Sequence, residues 1–175
     1  MQEELIAFLR NENIELVQEK HPKGALLVTP YEHCHFIFLI DKGAVKVTEW
    51  IDEKEQIIRF GYKGNWLTAL DSFLSDKPTR FSIEALKSTV VRRIKKNDFL
   101  SFVSSSQSIM KKWNVLLENL VLQQMERESD LLHNNPKDRY DRVLQRSPQL
   151  FQEIPLRHIA NYLRMTPETL SRLRK

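Results

Sequence analysis

The apolar residues of this 175-residue chain change from a strand-like to a helical period near Ser106, and that change limits what the chain can fold into. From Ala25 to Ile94, short β-branched and aromatic runs alternate with turn signals. The runs are Leu26–Val28, Phe36–Ile40, Ala44–Trp50, Gln56–Phe60, Phe81–Leu86 and Val90–Ile94. Between them stand His21-Pro22-Lys23-Gly24, Asp41-Lys42-Gly43, Ile51-Asp52-Glu53-Lys54, Lys63-Gly64-Asn65 and Lys77-Pro78. Many short strands at near-regular spacing predict an antiparallel sandwich or barrel. Residues 2–20 read as a helix with Leu5, Phe8 and Leu9 on one face, and Asn65–Leu74 breaks the alternation in the manner of a short helix.

From Ser106 to Leu132 the spacing is helical. Ile109, Trp113, Leu116 and Leu120 follow one stripe, with Leu117 on a second that also takes in Met110, Gln124 and Leu131. Two apolar stripes on one long helix predict two neighbours, the chain's own β-domain and a second copy of the chain. Ile109, Trp113, Leu116, Leu117 and Leu120 are therefore the candidate residues of a dimerising helix. A seam that ends in Gln123 and Gln124 also fits a helix beside a polar pocket. Asn134-Asn135-Pro136 stops this helix and starts another, with Pro136 suited to a first-turn position.

Residues 156–175 carry the sharpest motif. Leu156, Ile159, Ala160 and Leu163 mark one helical face, and Ala160 is small where a crossing helix must come close. Thr166 is a good N-cap and Pro167 follows at the first helical position. Leu170 and Leu173 then point back onto the first helix. That leaves Thr166, Glu168, Thr169, Ser171, Arg172, Arg174 and Lys175 as candidate DNA contacts. Arginine can donate two bonds to guanine, a carboxylate can accept from the cytosine amino group, and hydroxyls can hold phosphates. An ordinary helical hairpin has the same apolar spacing. The turn position often held by Gly is Arg164, where a positive φ costs about 1 kcal/mol.

Charge sorts with this motif. From Pro136 onward nine Lys or Arg face four acids, a balance of +5, which leaves −1 on residues 1–135 out of a total of +4. Basicity gathered at one end is a footprint for a polyanion, although a solvated helix surface produces the same count. No apolar run is long enough to span a bilayer. The acidic start Met1-Gln2-Glu3-Glu4 lacks a secretory pattern, and the single Cys34 cannot form an internal disulfide. These features point to the cytoplasm and give no membrane partner.

Taken together, the chain resembles the Crp/Fnr family of regulators from Leu26 to Lys175. The stretch Leu26-Leu27-Val28-Thr29-Pro30, then Phe36 to Val47 with its Lys42-Gly43 turn, is similar to the family's strands. Gly64 matches its next turn glycine. Ile154 to Leu163 followed by Thr166 to Arg172 is similar to its two-helix signature. The resemblance implies an α+β fold: a jelly-roll-like antiparallel β-roll sensor domain over 1–105, a long dimerisation helix over 106–134, and a small all-α helix-turn-helix domain over 135–175. That domain ends at Lys175, so it is expected to lack its wing or be truncated before it.

The resemblance further implies a homodimeric transcription regulator, not an enzyme, with double-stranded DNA and self as partners and RNA polymerase as a candidate third. Glu168 and Arg172 fall on positions the family uses for base contacts, with Thr169 near the backbone. Pro167 replaces another base-contacting Arg, so the family's better-known operator preference does not carry over. The sensor departs further. A Gly-Glu pair that holds ribose is Thr68-Ala69 here, and near the phosphate-holding Arg-Ser pair stands Thr79-Arg80, with Arg80 one residue out of register. One step along a strand turns a side chain to the opposite face. Cyclic AMP binding in the usual manner is therefore not expected, and no cofactor is. Thr68, Thr79, Arg80, Gln123 and Gln124 are the candidate effector-pocket residues.

Two rivals remain at this stage. His33-Cys34-His35 places two imidazoles on one strand face, as in metal-binding β-barrels, but Leu39 stands where a ligating carboxylate is expected. The other rival is a cyclic-nucleotide-like signalling or interaction module without specific DNA binding.

Overall fold

The computed structural model describes residues 2–12, 14 and 16–174. The chain runs α1 (Gln2–Asn11), β1 (Val17–His21), β2 (Leu26–Val28), β3 (Phe36–Lys42), β4 (Ala44–Ile51), β5 (Lys54–Tyr62), β6 (Trp66–Leu67), α2 (Leu70–Ser75), β7 (Ser82–Ala85) and β8 (Thr89–Lys95). Helices follow: α3 (Lys96–Ser104), α4 (Gln107–Leu132), α5 (Pro136–Arg146), α6 (Leu150–Glu153), α7 (Leu156–Tyr162) and α8 (Pro167–Leu173). The strands form two antiparallel four-stranded sheets, ordered β1-β8-β3-β6 and β2-β7-β4-β5. Val28, Phe38, Ile40, Val45, Val47, Ile83 and Val91 fill the core of this roll, and Phe36, Ile58 and Phe81 pack against it.

The expected strands are present, with ends moved by one or two residues. The expected helix over 2–20 is corrected: it stops at Asn11, and Val17–His21 is a strand paired with β8 from Val17↔Arg93 to His21↔Thr89. Gln18, Glu19 and Lys20 have no strand-like alternation of their own. Partners in the neighbouring strand decide the matter, including a 3.0 Å ion pair from Arg93 to Glu19. The short helix expected within Asn65–Leu74 is α2, preceded by the two-residue β6.

α4 begins at a capped end, where Ser106 Oγ accepts from the Ile109 N–H at 3.2 Å. Its first turns close a second apolar cluster with α1 and α3, built from Leu5, Leu9, Phe99, Phe102, Ile109 and the flank of Trp113. A third cluster joins the C-terminal helices to the roll. Tyr140, Val143, Leu150, Ile159, Leu163 and Leu170 share it with Ala44, Leu86, Phe60 and Tyr62. The Asn161 side chain adds a polar tie: its Oδ1 accepts from the Ile57 N–H, and its Nδ2 donates to the Glu55 carbonyl, both at 2.9 Å. β5 is a sheet edge, and Asn161 satisfies it as a neighbouring strand would.

Gly43 turns β3 into β4 at φ 100°, and a Cβ there would lie 2.6 Å from Thr89 Cα. Gly24 also has positive φ, but a Cβ there meets nothing within 4 Å. In urea melts Gly43→Ala is expected to cost about 2–4 kcal/mol and Gly24→Ala only about 1 kcal/mol. Equal losses would show that the close approach to β8 is unimportant.

Candidate nucleic-acid interface and sensor pocket

α7 and α8 cross as an apolar pair. Ile159, Ala160, Leu163 and Leu170 are all fully buried. Thr166 Oγ1 accepts from the Thr169 N–H at 3.2 Å, with Pro167 opening α8. In the turn between the helices Arg164 takes φ 55°, the left-handed conformation its position suggests. Arg139 holds this turn. Its guanidinium donates to the carbonyls of Leu163 at 2.8 Å, Arg164 at 3.1 Å, His133 at 2.6 Å and Asn134 at 3.1 Å. Nothing in the helical spacing pointed to Arg139, which was counted only as one more positive charge.

The outer face of α8 presents Glu168, Ser171 and Arg172 to solvent, and Arg174 is exposed at its C-cap. Thr166 is exposed but spends its hydroxyl on the cap, and Thr169 is half-buried with its hydroxyl 3.2 Å from that of Thr166. Lys175 lies outside the described residues. The Glu168 backbone N–H and the Thr166 hydroxyl hold the Glu168 carboxyl below its ordinary value. It is therefore an ionised acceptor at neutral pH.

The positive charge is less available than its count suggests. Arg139 is buried, and Arg142 and Arg146 turn inward to Asp130, which is fully buried near the end of α4. Arg142 Nε lies 2.9 Å from Asp130 Oδ1, and Glu126 takes a further share of both arginines. Burial pushes the Asp130 carboxyl up, but the bonds from Arg146 and Arg142 outweigh it and hold the group below the ordinary carboxylate range.

The α4 stripe named first divides between neighbours. Ile109 and the flank of Trp113 belong to the chain's own core. Leu116 and Leu120 face a crevice against the roll. The outward apolar residues of α4 are Met110, Val115, Val121, Leu122, Met125, Leu131 and Leu132, with Leu117 half-buried among them.

The five candidate effector-pocket residues do not share one site. Thr68 Oγ1 donates to the Phe36 carbonyl at 2.8 Å. Thr79 is buried and its hydroxyl donates to Asp71 at 2.8 Å, while the Phe81 N–H donates to that hydroxyl at 3.0 Å. Arg80 points outward, its side chain 71% exposed and paired with Glu49 at 3.4 Å. Beside Thr79, then, stands the Asp71 carboxylate in place of a guanidinium, an arrangement hostile to a phosphate. Gln123 and Gln124 lie elsewhere, on a crevice of about 500 Å³ between β5, α4 and the C-terminal helices. Gln124 Oε1 there accepts from Arg59 at 3.2 Å. The exposed rings of His33 and His35 stack 5.6 Å apart, and no group of three metal-ligating side chains occurs among the described residues.

Comparison with known proteins gives this geometry a lineage. The cyclic nucleotide-binding domain family matches residues 18–106. The chain belongs to that family. Its architecture as a whole is the Crp/Fnr fold. FixK2 from Bradyrhizobium japonicum is similar over 91% of this chain and 82% of its own, at 18% identity and a TM-score of 0.76. The Catabolite Activator Protein of Thermus thermophilus is similar over 99% and 81%, at 18% identity and a TM-score of 0.60. A CRP-family transcriptional regulator of the same organism is similar over 89% and 81%, at 14% identity and a TM-score of 0.65. No curated protein matches the chain in sequence. No helix among the described residues is long and apolar enough to cross a membrane.

Asp130 supplies a pH signature. Its folded-state value lies below that of the unfolded chain, about 3.9, so the carboxylate stabilises the fold above that pH. The contribution is lost as pH falls through the folded value. Between about pH 5 and pH 3, Asp130→Asn is expected to lose less stability than the native chain in urea unfolding. Parallel losses would remove Asp130 from the account.

Proposed function

We propose that the chain is a homodimeric, DNA-binding transcription regulator of the Crp/Fnr type, working in the cytoplasm and carrying no enzymatic site. The observation that carries this reading is the division of labour on α7 and α8. Their apolar residues and Asn161 are spent inward, while Glu168, Ser171, Arg172 and Arg174 are left on one free face of α8. Such a face offers a carboxylate acceptor and guanidinium donors at the spacing of a helix, which suits base edges in a major groove. The similar structures named as a transcriptional regulator and an activator protein support the same reading.

The second copy is assigned to the outward stripe of α4. Met110, Leu117, Val121 and Met125 follow one another at steps of seven, four and four residues, and a partner helix would cover them. Two recognition helices would then meet successive major grooves about one helical turn apart, roughly 34 Å. Ligand modulation is part of the proposal, with Gln123 and Gln124 on the crevice beside α4 as the contacts, since Thr68, Thr79 and Arg80 are engaged elsewhere. Cyclic AMP is not the effector in this reading, because Thr79 and Asp71 occupy each other.

Two measurements test it. In gel shifts on the promoter region beside its own gene, Arg172→Ala is expected to cost about 1–3 kcal/mol of specific affinity while sequence-indifferent binding persists. Weak binding that ignores sequence and the substitution would instead support a signalling or interaction module. Light scattering of the native chain at micromolar concentration should give a dimer, and Val121→Glu should give a monomer because the charge would be buried in the seam. A native monomer would end the two-fold assembly.

A further inference from the structure

The crevice between the roll and the C-terminal helices carries an electrostatic imbalance. Arg59 from β5 and Arg127 from α4 both line it, and no Asp or Glu does among the described residues. Arg146 lines it as well, but Asp130 and Glu126 match that charge. Among the described residues, Arg59 has only the Gln124 amide oxygen, at 3.2 Å. Arg127 is 8% exposed, stacks 3.7 Å over the Tyr162 ring and donates to the Tyr162 carbonyl. Its Nη1 is buried with no hydrogen-bond partner among the described residues. A buried guanidinium nitrogen without an acceptor is costly, and an oxyanion is the group that best relieves it.

We propose that this crevice binds a small organic anion, one phosphate or carboxylate on an apolar or aromatic body, with Arg59 and Arg127 holding the oxyanion. The volume of about 500 Å³ falls among ordinary small-ligand sites, roughly 300–1,000 Å³. Ile58, Leu116, Leu120 and Trp66 supply an apolar wall for the body of the ligand. Burial pulls both guanidiniums below the ordinary arginine value, which marks them as poorly hydrated cations that gain from an anion. The site differs from the Thr68, Thr79 and Arg80 positions inside the roll. It touches the sensor through Arg59, the long helix through Arg127 and α7 through Tyr162, so an occupant would bear on all three. That regulatory consequence rests on the proposed regulator reading; the binding does not.

Trp66 in the wall gives an intrinsic fluorescence signal, and the test uses the whole chain without DNA. Phenyl phosphate, benzoate and phenol are titrated at millimolar concentrations, with melting temperature as the second readout. At least one of the two anions should bind saturably, raise the melting temperature and exceed phenol by about ten-fold or more. Arg59→Gln should weaken that anion about ten-fold, and Arg59→Lys should restore part of the loss. Arg59 makes a single polar contact, so its variants are expected to fold even if Arg127→Gln does not. Neither anion exceeding phenol, or Arg59→Gln binding as the native chain does, overturns the proposal. Which anion binds separates phosphate from carboxylate ligands. Failure here would leave the gel-shift result untouched.

Discussion

Arg139 sits where two helices end, and the C-terminal half of the molecule is organised around it. Just past the ends of α4 and α7, carbonyls stand without intrahelical partners, at His133 and Asn134 on one side and at Leu163 and Arg164 on the other. Both ends carry the negative pole of a helix dipole. One planar cation between them answers both problems, which a lysine with its single compact head could not do. The same contact explains how the turn tolerates Arg164 at positive φ. A strain of about 1 kcal/mol at that residue is smaller than the gain from charge-assisted bonds to two adjacent carbonyls, each about 1.5–3 kcal/mol.

The charge asymmetry of the sequence changes meaning once the contacts are known. The positive balance after Pro136 looked like a surface field. Instead Arg139 serves carbonyls, while Arg142 and Arg146 neutralise Asp130 and Glu126 on α4. Charges paired across helices hold the C-terminal unit to the long helix and add little to long-range attraction for a polyanion. What remains outward on the last helix is a small set, chiefly Arg172 and Arg174 with Glu168 between cap and groove face. A surface of that kind suits recognition by geometry more than a broad electrostatic grip.

Much of the fold was legible because period and punctuation are local properties. β2, β3 and β4 follow from alternation bounded by turns, and α8 from Thr166-Pro167 followed by Leu170 and Leu173. β1 was not legible: Val17–His21 is polar and short, and its strand state exists only through β8. α3 was missed because Lys96–Ser104 is too short for its apolar residues to declare a period. The site divided in the same way. The outward positions of α8 were readable from spacing, since a helix has only one face left after the apolar one is assigned. The Arg59–Arg127 crevice was not, because its walls come from β5, α4 and the C-terminal helices, and no short-range pattern joins them. Arg127 in particular falls on the stripe of Ile109, Leu116 and Leu120, where sequence reasoning expects an apolar residue.

The contact between the roll and the helix pair combines two polar ties with an apolar patch. Asn161 contributes two hydrogen bonds to the β5 edge, worth about 0.5–1.5 kcal/mol each in net terms. The apolar patch shared by Phe60, Tyr62 and Tyr162 adds to that, with the Phe60 and Tyr162 rings 5.5 Å apart. Together these contacts hold α7 in one orientation against the roll. Anything that displaces β5 by favouring a different Arg59 position strains the Asn161 bonds directly, since Arg59 lies two residues from Ile57 on the same strand. In the regulator reading proposed above, motion of the roll need not travel down the whole of α4 to be felt at α8; the shorter route runs through the edge strand and the helix docked on it.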